Sequence, residues 1–210
     1  MDTYCRKQEI VNSLTHSVGI LFGIVSIPFL LNTAIEHHNT AGIIGSSVYG
    51  ICYLMAFTSS TIYHFCQDSS KKQVFKIFDH ISIYFFIAGT YTPFLLVFMN
   101  NPLGRTLLCI LWGLTLFGIF WKTYYTGKYE IVSTAVYVLM GWIMLVGGHT
   151  FFAHLPYQVL LLIIIGAGLY TVGVFFYIWD KYFYTHAVWH GFVLCAAVFH
   201  YVAVLLTVSA

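Results

Sequence analysis

Seven apolar segments, each about as long as the hydrocarbon core of a bilayer is thick, follow one another with only short polar joints between them. No other feature constrains the fold as strongly. Inside lipid every backbone N–H and C=O must be satisfied within the protein, so a segment of this kind crosses as a helix. The runs predict spans over residues 12–35, 41–65, 75–98, 103–124, 131–152, 157–178 and 185–207. The joints carry turn formers, as in Glu36-His37-His38-Asn39-Thr40, Gln67-Asp68-Ser69-Ser70 and Asn100-Asn101-Pro102. Short joints make successive helices antiparallel neighbours. The expected fold class is therefore all-α: a polytopic membrane protein forming one seven-transmembrane helix bundle over residues 1–210.

Composition excludes the alternatives. Charged residues make up 8% of the chain and hydrophobic residues 60%, whereas a soluble domain carries about 25% charged residues to cover its surface. A net charge of +2 with no basic stripe gives nucleic acid nothing to bind. The opening residues lack a short apolar core followed by a small-residue cleavage site, so no removable signal peptide is expected. Five cysteines (Cys5, Cys52, Cys66, Cys109 and Cys195), none in a Cys-x-x-Cys pair, are expected to be reduced and to pack as small apolar residues.

Lysine and arginine set the orientation, because cytoplasmic joints retain them. Arg6, Lys7, Lys71, Lys72, Lys76, Lys122, Lys128 and Lys181 fall on one side of a seven-span chain, and only Arg105 on the other. The split predicts a cytoplasmic N-terminus and an outside C-terminus, and it supports an odd number of spans. Pro93, after Gly89-Thr90-Tyr91-Thr92, predicts a kink in the third helix. Gly19 and Gly23, four apart, predict close helix packing.

Ionisable groups at membrane depth are rare and face the bundle interior or a cavity. Glu9, Asn12 and His16 open the first span; Ser60 and His64 close the second; Asp79 and His80 open the third; His186 and His190 open the seventh. The charge rule places all of them at one depth, on the cytoplasmic side. His186 and His190, at i and i+4, share one helix face and suit chelation of a single ion. His64 offers a third nitrogen, and three protein ligands with an open fourth position is the arrangement of catalytic zinc sites. Asp79 is the candidate for orienting or deprotonating a water, and Ser60, one turn before His64, can reach the same pocket. Each has a plainer alternative. The paired histidines can hydrogen-bond to carbonyls or to each other, Asp79 can pair with Lys76, and Ser60 can bond back to its own helix. His37, His38, His149 and His154 fall on or near the outer joints, and His200, ten residues past His190, lies outside the candidate metal layer.

Three clusters in order, Glu9-Ile-Val-Asn12-Ser-Leu-Thr15-His16, Ser60-Thr-Ile-Tyr-His64 followed by Asp79, and His186-Ala-Val-Trp-His190, resemble the motifs of the progestin and adipoQ receptor (PAQR) family. Within it, the short chain is similar to the bacterial hemolysin III branch. The resemblance implies seven helices with the N-terminus inside, zinc held by His64, His186 and His190, and Asp79 and Ser60 lining the zinc site. It implies a bacterial inner (plasma) membrane location. Because the wider superfamily includes alkaline ceramidases, it also implies a zinc-dependent hydrolase acting on a lipid amide or ester. Two other functions stay open: a pore-forming cytolysin, and a non-catalytic sensor or membrane-homeostasis protein with structural zinc. No predicted helix carries a continuous polar stripe of the kind that lines a pore.

Overall fold

A computed structural model describes residues 3–179 and 184–210. Asp180, Lys181 and Tyr182 of the sixth joint lie outside the described residues. Among those described there are helices and turns and no strand. The helices are α1 (Thr3–Glu36), α2 (Thr40–Phe65), α3 (Ser69–Phe98), α4 (Pro102–Tyr125), α5 (Glu130–Gly141), α6 (Met144–His154), α7 (Tyr157–Ile178) and α8 (Thr185–Val208). With α5 and α6 counted as one span, seven helices are long and apolar enough to cross a membrane.

The polar joints become helix caps. Asn39 Oδ1 accepts the Gly42 N–H at 2.7 Å, Asn101 Oδ1 accepts the Gly104 N–H at 2.9 Å, and one Asp68 oxygen takes the N–H groups of both Ser70 and Lys71 at 3.0 Å. Each cap satisfies amides that a helix start leaves without a partner. The capping at Asp68 starts α3 at Ser69, so the Ser69–Val74 stretch, expected outside the third span, forms its first turns.

The outer surface is apolar. Leu14, Val18, Leu21 and Val25 lie along one face of α1 and are all exposed, a stripe that lipid solvates and water does not. Polar side chains turn inward. α3 is the central helix: its most apolar window is 61% buried, against 28% for α1, α4 and α7. It packs on α2, α4, α5 and α8, and α8 closes the bundle against α1 and α7. Small residues bring α2 and α3 together, since a Cβ on Gly45 would lie 2.6 Å from the Cα of Pro93. α3 is continuous through Pro93. Gly19 and Gly23 pack as expected, facing the rings of Phe57 and Tyr53.

The fifth span is interrupted where the sequence predicts one helix. It breaks between Gly141 and Met144, and Gly148 has φ 53°. The Tyr91 hydroxyl donates to the Gly141 carbonyl at 2.5 Å, and Trp142 Nε1 donates to Thr171 Oγ1 at 2.9 Å. The Gly141 carbonyl at the break thus finds a partner inside the protein, the condition under which an interrupted helix is tolerated at membrane depth.

Candidate metal centre

His64 lies in the last turn of α2, and His186 and His190 in the first turns of α8. Antiparallel packing brings these helix ends together. One ring nitrogen from each of the three lies within 4.8 Å of the others. His64 Nε2 and His190 Nε2 are 3.0 Å apart. His64 and His190 are buried, and His186 is half-buried.

Glu9 fixes the tautomer of His64. His64 Nδ1 donates to Glu9 Oε2 at 2.8 Å, which in the neutral ring leaves the lone pair on Nε2, the nitrogen that faces His190. Lys72 holds the same carboxylate oxygen at 3.1 Å and also donates to the carbonyls of Tyr63 and Cys66 at the end of α2. A carboxylate behind an imidazole whose other nitrogen faces a shared point is the arrangement found behind metal-bound histidines.

The other predicted residues divide. His16 packs edge-on against His190, ring centroids 3.9 Å apart, and both its nitrogens are buried without a hydrogen-bond partner. Ser60 is buried and its hydroxyl is unpartnered, so it does not bond back to its helix. Ser60, Asp79, His16, His186 and His190 line one cavity. Asn12 is buried with an unpartnered Oδ1, one turn before His16, but is not among the cavity-lining residues. His37, His38, His149 and His154 are exposed at the opposite end. Cys52, Cys66, Cys109 and Cys195 are free thiols.

Two features escape the sequence reading. Lys122, counted there as a joint cation, is fully buried and ion-paired with Glu130. His200, set aside there, is buried and lines the same cavity as His186 and His190. Its signal was only its rarity, a histidine in the middle of an apolar span.

Residues 4–201 match the family described as Haemolysin-III related. The chain belongs to that family. The haemolysin-III-related match agrees with individual relatives. A Bacillus subtilis protein named Hemolysin-3 homolog is 40% identical over 188 residues, covering 90% of this chain and 88% of the relative. Hemolysin-3 of Bacillus cereus is 36% identical over 199 residues, 95% and 91% of the two chains. The human protein named Monocyte to macrophage differentiation factor is 27% identical over 206 residues, covering 94% of this chain and 83% of its own length. This haemolysin-III-related chain is thus an integral membrane protein with a buried histidine group able to bind a metal.

Proposed function

We propose that this protein is a zinc-dependent hydrolase of a lipid amide or ester, with its site at the cytoplasmic leaflet of a bacterial plasma membrane. The observation that carries the proposal is the convergence of three imidazole nitrogens within 4.8 Å, two of them at 3.0 Å, with His186 and His190 lining a cavity that Asp79 also lines. Zinc–nitrogen bonds of about 2.0–2.1 Å put tetrahedral ligand atoms about 3.3 Å apart, close to the His64–His190 separation. The donor set, all nitrogen with a carboxylate behind one ring, suits zinc. Zinc held by His64, His186 and His190 would polarise a carbonyl and make water nucleophilic near neutral pH.

The chain's own groups have distinct tasks. Glu9 keeps the His64 proton on Nδ1 and the ring aimed inward. Asp79 accepts the proton of the attacking water through a carboxylate oxygen. The Ser60 hydroxyl, buried and without a partner, donates to the carbonyl oxygen of the amide or ester. Phe57, Ile83 and Phe86 line the cavity with apolar surface, where a lipid chain arriving sideways from the bilayer replaces water.

A stabilising, non-turnover zinc is the second reading, favoured because the three ligands join α2 to α8. One experiment separates the two. Purified wild type should carry about one zinc per chain by mass spectrometry, and His190→Ala almost none. Asp79→Asn should keep the metal and lose turnover of a lipid amide by about 100-fold. Equal zinc in wild type and His190→Ala would remove both readings. Melting on chelation with no hydrolysis in wild type would leave only the second.

A further inference from the structure

His200 stands on α8 ten residues beyond His190, about 15 Å along the helix at 1.5 Å per residue. Both line the cavity, which therefore reaches from the triad deep into the bundle. The far end holds a second set of polar groups with no part in the metal centre. His200 Nε2 donates to the Ile163 carbonyl at 3.2 Å, which leaves Nδ1 as a lone-pair acceptor. That Nδ1 is buried and without a partner. The ring is held in place by α7, where a Cβ on Gly166 would lie 2.3 Å from His200 Nε2. Beside it, ring centroids 5.5 Å away, Tyr170 also lines the cavity and also has a buried, unpartnered hydroxyl.

A bare acceptor beside a phenol that both donates and accepts selects its ligand. A hydroxyl satisfies both at once, donating to Nδ1 and accepting from Tyr170. A carbonyl would engage Tyr170 and leave Nδ1 unmet, and a methylene would leave both unmet, each orphaned group costing free energy. The walls between the two polar ends, Phe86 and Val193 among them, are apolar.

We infer that the far end of the cavity is a second polar subsite, taking a hydroxyl borne on the ligand's chain about a dozen bonds from the group held at the triad. This rests on the proposed chain-bearing amide or ester and adds to it a specificity for hydroxylated chains. Full-length protein in phospholipid nanodiscs would be titrated with two probes, octadecanoyl amide and the same amide hydroxylated near its twelfth carbon. Wild type should bind the hydroxylated probe about three- to tenfold more tightly. Tyr170→Phe, which removes one oxygen, should cut that preference, and Tyr170→Phe/His200→Phe should abolish it, with plain-amide affinity no weaker than in wild type because the two orphaned groups are gone. Equal affinities in wild type, or a preference that survives the double substitution, would overturn the subsite while leaving the hydrolase proposal standing. Binding of neither probe would overturn both. A lost preference in Tyr170→Phe with no turnover in any zinc-loaded preparation would support the subsite and count against the hydrolase alone.

Discussion

Glu9 and Glu130 sit at the same end of the bundle, each half-buried and each shared between a lysine and a second donor. Glu9 presents one oxygen to His64 Nδ1 and Lys72 Nζ, at 2.8 and 3.1 Å. Glu130 gives one oxygen to Lys122 and the other to the Gly127 N–H at 2.7 Å. The difference lies in what the second donor is. Behind Glu9 it is an imidazole whose far nitrogen faces His190 in the candidate metal centre. Behind Glu130 it is the backbone of a tight turn, with Gly127 at φ 83° and Tyr129 at φ 54°, that sets α5 against α4. One chemical motif thus orients an imidazole in the first case and holds a chain reversal in the second. The cations differ too: Lys122 is wholly buried, while Lys72 keeps 21% of its side chain exposed.

The largest effect should come from the second pair, on stability. Lys122→Ala strands the Glu130 carboxylate, and removing one partner of a buried pair costs about 3 kcal/mol. For a chain of this size that is a fall in melting temperature of about 6–12 °C. Bound metal per folded chain should not change. Lys122→Met/Glu130→Leu, which removes both charges, should recover most of the loss. Thermal melting in detergent beside zinc content checks both, and loss of zinc from folded Lys122→Ala would erase the distinction between the two carboxylates.

Next comes Glu9→Gln, where the effect should fall on the metal. Gln can still accept the His64 Nδ1–H hydrogen bond but withdraws the negative charge that makes the imidazole a better metal ligand. Zinc affinity should drop about 10- to 100-fold, as it does when such outer carboxylates are removed. Melting of the metal-free protein should move by less than about 2 °C, because the pair is partly exposed. Competition with a chromogenic chelator measures the affinity, and an unchanged value would reduce Glu9 to a helix-packing residue.

What the sequence shows of this comparison follows the range of the forces involved. The spans are legible because length and apolarity are local properties. The caps at Asn39, Asp68 and Asn101 are legible because each side chain bonds an amide two or three residues away. The gathering of Glu9, His16, Ser60, His64, Asp79, His186 and His190 at one end follows from topology once helices alternate in direction. Lys122 is misread because its burial depends on Glu130, eight residues on and across a turn, a spacing no helical periodicity marks. His200 is missed because its environment comes from Gly166 and Tyr170 on another helix. The break after Gly141 is missed because its partners, Tyr91 and Thr171, come from α3 and α7.

The smallest effect should be that of Lys72→Ala, and it tests whether Glu9 works through its hydrogen bond or through a charge network. Lys72 touches three things: the Glu9 carboxylate, the Tyr63 and Cys66 carbonyls at 3.3 Å, and the face of the Tyr63 ring at 4.9 Å. The carbonyl contacts close the C-terminal end of α2, where a cation is favoured by about 0.3–1 kcal/mol. Its loss leaves the His64–Glu9 bond in place and a carboxylate open to water. Zinc affinity should therefore fall less than about fivefold, since a partly exposed ion pair contributes about 0–1 kcal/mol. A loss as large as that of Glu9→Gln would mean that lysine, glutamate and histidine act as one unit. The lysine would then belong to the metal centre as firmly as the glutamate does, and the contrast with Glu130 would rest on the second donor alone.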